Sequence, residues 1–243
     1  MKHRIVVKTL LGTGSAFAVA VLGGLLIHSP RVEAQSLRSE LRAPGEDDWR
    51  IQRGFAIAPV KLKLGGKNRA LVGLGSYLVN GVASCNDCHN GAPPTNPTAA
   101  WLPGGVPYFG QSPTVINTAV YLAGGRDFGP YPAAGPFPHI ISRNLTPDKN
   151  GLPEGHTFAE FTTIMRTGKD MDRVHPTCAG APDGTCLPAP IDGDLLQIMP
   201  WPVYQNLTDR DLLAIYTYLS AIPCIEGDPG VPAPAGGAQP RCQ

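Results

Sequence analysis

The sequence predicts a mainly α domain in which three short core helices are joined by long loops around a bound group. Three observations lead there. Apolar residues recur at helical spacing in three separate segments, and no alternation of strand and helix patterns runs between them. The 243 residues include 29 Gly and 26 Pro. That is nearly twice their ordinary share of roughly 7% and 5%, more than a tightly wound helical bundle could absorb. The length suits one modest domain with extensions. A formal charge of +1 argues against an electrostatic grip on nucleic acid, and 42% hydrophobic content argues against wholesale disorder.

Residues 1–34 read as a signal peptide. Lys2, His3, Arg4 and Lys8 form a positive head, residues 10–27 an apolar stretch, and Val32-Glu33-Ala34 a small-residue cleavage site. The expected location is therefore exported and periplasmic. The alternative is a retained anchor facing the periplasm, since the apolar run is longer than a usual signal core. Contact with a membrane is expected in that case alone.

Residues 35–67 form an N-terminal extension with a charged start and a second half, Pro59-Val60-Lys61-Leu62-Lys63-Leu64, that alternates like an edge strand or extended arm. The core domain is expected over 68–223. Its first helix follows from Leu71, Leu74, Leu78 and Val82, and delivers the chain to Cys85. Residues 91–153 are rich in Pro, Gly and aromatics, and a loop this long needs an organiser such as a large apolar ligand. Thr157 with Glu160 matches a capping box ahead of a second helix carrying Phe158, Phe161, Ile164 and Met165 and ending before Gly168. Thr208 with Asp211 starts the third, which runs through Leu212, Ile215, Tyr216, Leu219 and Ile222 to Pro223. Residues 224–243 form a Pro-, Gly- and Ala-rich tail.

The chemistry concentrates in Cys85-Asn86-Asp87-Cys88-His89. Two thiols three residues apart share one side of a helical turn, with an imidazole just beyond them. A c-type haem needs this spacing: each thiol adds to one vinyl group, and His89 becomes the proximal iron ligand. The competing chemistries are half a zinc site, which lacks a matched second pair, and a thioredoxin-type dithiol, which lacks its strand–helix context. For the distal position, Met199 in Gln197-Ile198-Met199-Pro200-Trp201-Pro202 lies on a segment that two prolines stiffen in extended form. Its rivals are Met165, Met171, His139, His156 and His175.

The haem string, the Asn144-Leu145-Thr146-Pro147-Asp148 loop, and Met199-Pro200 ahead of the Asp211–Leu219 helical run together resemble a class I c-type cytochrome domain. The likeness is to the haem domains of periplasmic dehydrogenase cytochrome subunits, over about residues 68–223. It implies a class I cytochrome c fold around one covalently bound haem c, with Met199 as distal ligand. It implies single-electron transfer between redox partner proteins (a dehydrogenase, an oxidase or another cytochrome), as a free carrier or a dehydrogenase-associated subunit rather than an enzyme. It also implies that first and last helices cross through a small residue and an aromatic, matched here by Gly73 with Tyr77 facing Ile215 with Tyr218. Pro103 is a candidate for the carbonyl that receives the His89 ring N–H. The alternative function is a haem enzyme or gas sensor with an open or exchangeable distal iron position.

The remaining signals are local. Proximity pairs Cys178 with Cys186 and Cys224 with Cys242 as disulfides. Asp148-Lys149-Asn150-Gly151 reads as a turn, and the glycosylation strings at Asn144 and Asn206 are discounted. Trp201 and Tyr204 carry polar handles that could meet haem propionates.

Overall fold

The Asn68 side chain accepts the backbone N–H groups of Ala70 and Leu71, at 2.9 and 3.3 Å, and so starts the helix around which the rest is arranged. In the computed structural model, which describes residues 48–90, 116–133, 135–226 and 242–243, that helix is the second. The helical elements in chain order are α1 (Asp48–Ile57), α2 (Arg69–Tyr77), a π-helical turn (Leu78–Val82), α3 (Cys85–Cys88), α4 (Phe158–Thr167), α5 (Trp201–Tyr204) and α6 (Asp209–Leu219). Among the described residues the sheet content is one short antiparallel pair, β1 (Asp127–Pro130) with β2 (His139–Ile141). The arrangement is mainly α, as the periodicity implies. The proposed signal peptide and most of the tail lie outside the described residues.

Helix α2 lies between α1 and α6, and glycines set both approaches. A Cβ on Gly75 would come 1.9 Å from the Ala214 carbonyl oxygen and 2.7 Å from Tyr218 Cβ. A Cβ on Gly73 would meet Ile51 and Phe55 of α1, and one on Gly54 would come 1.8 Å from the Gly73 carbonyl oxygen. The crossing with α6 therefore runs through Gly75, Ala214 and Tyr218, and Gly73 serves α1, which corrects the expected Gly73–Ile215 pairing. Tyr77 also turns to α1, edge-on to Trp49 with ring centroids 5.3 Å apart. Residues two apart on an α-helix point about 200° apart, so Gly73 and Gly75 necessarily serve opposite neighbours.

Periodicity places no helix over 48–57, because Arg50 and Arg53 interrupt an apolar face made of Ile51, Phe55 and the following Ala58. The extended arm after it does form. Val60, Leu62 and Leu64 pack on the core while Lys61 and Lys63 face solvent, and the Lys63 N–H donates to the Ala221 carbonyl at 2.7 Å. Val82, expected on the apolar face of the first helix, is exposed and Val79 is fully buried. The Ala83 N–H reaches back to Leu78, a five-residue step that widens the turn and rotates Val82 outward.

Helices α4 and α6 begin where their sequences indicate. Thr157 with Glu160 and Thr208 with Asp211 form complete capping boxes, and α4 closes on Gly168 at φ +71°. α6 ends at Leu219, three residues before Ile222, which is nevertheless fully buried. The core joins Val72, Leu74, Leu78 and Val79 to Tyr121, Leu122, Phe161, Met165 and the inner face of α6.

Disulfides bridge Cys178 to Cys186 and Cys224 to Cys242. Just past Cys224, Ile225 is tied to the Asn144 loop: Asn144 Nδ2 donates to its carbonyl at 3.1 Å and its N–H donates to Thr146 Oγ1 at 3.1 Å. Asn144 is 2% exposed, so it is no acceptor for a glycan.

Candidate functional site

After the π-helical turn, Ser84 takes a left-handed conformation (φ +49°) and the chain enters the single turn of α3. The His89 N–H closes that turn on the Cys85 carbonyl at 2.9 Å. The buried Asn86 side chain accepts the Leu122 N–H at 3.0 Å, and the Arg126 guanidinium donates to the Asp87 carbonyl, so α3 is tied to the core on two sides. Cys85 and Cys88 are unbridged. Burial pushes the Cys85 thiol up to about 12, and burial also raises Cys88, opposed by the nearby Arg126. These are poor thiolates, unlike the attacking thiol of a redox dithiol. Among the described residues, neither cysteine belongs to a group of three or more converging metal-ligating side chains.

His89 Nδ1 lies 2.7 Å from the Arg143 carbonyl oxygen. A carbonyl only accepts, so Nδ1 carries the hydrogen and Nε2 keeps its lone pair. Burial holds the ring below the usual imidazole range, against the opposing pull of that hydrogen bond, and it stays neutral at pH 7. Arg143 thus fills the role for which Pro103 was a candidate; Pro103 lies outside the described residues. No local motif announces Arg143, because its contribution is a backbone oxygen from 54 residues away.

Cys85, Cys88 and His89 line a mostly apolar cavity of about 350 Å³, and Met199 lines it too. Of the rivals for the distal position, Met165, His139 and His175 also border this cavity, whereas Met171 and His156 do not. Met165 is buried in the core cluster, and Met199 is half-buried at its edge. His139 is engaged with Asp127 at 2.7 Å, and His175 Nδ1 lies 3.3 Å from the Thr185 carbonyl. His156 instead gathers with Glu154 and Asp172, their ligand atoms within 4.8 Å of one another.

The Met199 segment is more folded than its prolines suggest. Trp201–Tyr204 forms a helical turn, α5, with Pro202 in its first turn where a missing N–H costs nothing. Ile198 holds φ +68°, the Met199 N–H donates to the Gln197 carbonyl at 2.7 Å, and the Trp201 N–H donates to the Met199 carbonyl at 2.9 Å. Tyr204 spends its hydroxyl on the Ala83 carbonyl at 3.1 Å, linking this segment to the residue just before α3's cap. Trp201 packs over Gly168, where any Cβ would come within 2.3 Å of the indole.

Fold and site thus define a mainly α domain in which paired thiols and an imidazole border an apolar cavity. The chain is similar to the gluconate 2-dehydrogenase cytochrome c subunit of Pantoea cypripedii, 29% identical over 100 residues. The match covers 40% of this chain and 18% of that protein's length. No family model and no solved structure matches the chain.

Proposed function

We propose that the protein is an exported c-type cytochrome that holds one haem covalently and moves single electrons between protein partners, a dehydrogenase among them. One observation carries this reading: two unbridged thiols, a neutral imidazole with Nδ1 occupied, and a methionine thioether border the same apolar cavity. The donor set fits haem c: Cys85 and Cys88 for thioether attachment, His89 Nε2 as proximal ligand and Met199 as distal ligand. Bound there, the haem would supply an iron that changes oxidation state by one electron. The chain's own residues do the rest. The Arg143 carbonyl fixes the His89 tautomer and orientation. Leu145, Phe161, Ile164, Ile215 and Leu219 give the cavity an apolar wall. A methionine sulfur and an apolar wall both favour a higher reduction potential than two histidines in water would give.

Export is supported by the leader-like residues 1–34 and by two disulfides, which persist in oxidising compartments. Among the described residues no helix is long and apolar enough to cross a membrane. Association with a dehydrogenase rests on the name of the relative in Pantoea cypripedii.

The test is an absorption spectrum of the isolated protein. The oxidised form is expected to show the charge-transfer band of iron bound to methionine sulfur, and Met199→Ala to abolish it with the haem still attached. A native protein with five-coordinate iron that takes up carbon monoxide readily would favour the enzyme or gas-sensor reading instead, with His139 and His175 as the polar groups at hand.

A further inference from the structure

Arg143 makes contacts of two kinds that lead in opposite directions. Its backbone carbonyl receives the His89 ring N–H. Its guanidinium, largely buried, forks between two carboxylates: Nη2 donates to Asp170 Oδ1 at 2.9 Å and Nη1 to Asp172 Oδ2 at 2.6 Å. Asp170 is 7% exposed, and besides Arg143 it accepts the Asp172 N–H at 3.1 Å and the Val174 N–H at 3.2 Å.

The strand of chain that carries Asp170 is laced to the segment that leads to Met199. The Asp170 N–H donates to the Asp194 carbonyl at 2.8 Å, the Leu196 N–H donates to the Gly168 carbonyl at 2.6 Å, and Lys169 bridges Leu195. Gln197 continues the lacing, its Nε2 donating to the Leu195 carbonyl at 2.6 Å, and the Met199 N–H then rests on the Gln197 carbonyl. Hydrogen bonds joined by short covalent stretches therefore connect the backbone at Met199, through Asp170 and the Arg143 fork, to the atom that orients His89.

We propose that Arg143 and Asp170 are positioning residues that strap the proximal histidine to the distal methionine segment, so that the two iron ligands are set by one ion pair. The inference rests on the cytochrome reading above. The Arg143–Asp170 prong is charge-assisted and largely shielded from water, and the half-exposed Asp172 adds a second anchor, which makes the fork stiff enough to transmit position. Only the Arg143 side chain is at stake in a substitution, because any residue at 143 retains a backbone carbonyl. The effect of the clamp can thus be separated from the presence of the acceptor.

The test uses the haem-loaded protein and two readouts, one on each face. Added imidazole, followed by loss of the methionine charge-transfer band, reports how firmly Met199 holds. Solvent exchange of the His89 Nδ1 proton, followed by NMR, reports the proximal side. Arg143→Met is expected to raise imidazole affinity about tenfold, the low end for losing an outer partner of a metal ligand, and to speed proton exchange by a similar factor. Asp170→Asn is expected to change both in the same direction, and Arg143→Lys to recover part of each. If Arg143→Met fails to fold, Asp172→Asn, at the more exposed prong, gives the same signs with smaller size. Variants that melt earlier but leave both readouts at wild-type values would overturn the strap and leave the cytochrome reading standing. A wild-type protein without covalent haem, or with a spectrum unchanged by Met199→Ala, would overturn the underlying reading and the strap with it.

Discussion

Gly75→Ala should separate the two helices that form the centre of the fold. The added Cβ would lie 1.9 Å from the Ala214 carbonyl oxygen, 2.6 Å from its carbon and 2.7 Å from Tyr218 Cβ. Ordinary contact between such atoms is about 3.5 Å, so α2 and α6 would have to part by about 1.5 Å along this line. Two of the three obstacles are main-chain atoms of α6, and no rotamer change relieves them. Alanine in place of glycine favours the helix itself by about 1 kcal/mol. Against that stand overpacking, typically about 1–3 kcal/mol, and the loosening of Leu74, Leu212, Ile215 and Tyr218, all nearly fully buried. The expected balance is a loss of about 2 kcal/mol, read as a lower urea midpoint by far-ultraviolet circular dichroism. Gly81→Ala is the control: its nearest neighbour would be at 3.6 Å, so stability is expected to hold or rise by up to about 1 kcal/mol. A Gly75→Ala protein with a midpoint at or above the native one would refute the reasoning.

Cys85→Ala combined with Cys88→Ala is expected to yield protein whose denatured chain carries no haem stain; retained stain would remove the attachment claim. Thr157→Ala takes away the side-chain half of the α4 capping box and should lower stability by about 1 kcal/mol in the same urea assay. Glu160 should give that box a pH dependence. The Thr157 N–H and hydroxyl hold its carboxyl below the ordinary range, so its contribution is present above the unfolded-state pKa and is lost as pH falls through the folded value. Glu160→Gln should flatten that part of the acid limb, and an unchanged limb would count against the box. Removing the Cys178–Cys186 bridge with paired alanines should lower stability by about 2–3 kcal/mol, the loop-closure value for so short a loop, and reductant, which opens the Cys224–Cys242 bridge as well, should shift the native protein at least as far.

The parts of this molecule that could be read without its structure are those whose partners are close in sequence. Thr157 meets Glu160 and Thr208 meets Asp211 within one helical turn, so both helix starts follow from composition alone. The cysteine pairs at 178 and 186 and at 224 and 242 are near enough that proximity identifies them. The Cys85–His89 string on which the haem proposal rests is likewise a local matter of spacing. The helix at Asp48–Ile57 was illegible because its apolar face is narrow and interrupted by arginines, and it is held by glycine contacts with a helix beyond the next loop.

The local units are therefore legible in the chain alone: a mainly α pattern, two capped helices, two disulfide clips, and a Cys85–His89 turn whose thiol and imidazole spacing suits the proposed haem attachment. Three features emerge with the assembled fold: Gly75 rather than Gly73 meets α6, α1 packs against the core, and the His89 ring N–H is received by Arg143, whose guanidinium grips Asp170. Capping and thiol spacing depend on side-chain identity within a turn, whereas a helix crossing or a carbonyl acceptor depends on where the backbone is carried by distant packing, and every residue type offers the same carbonyl.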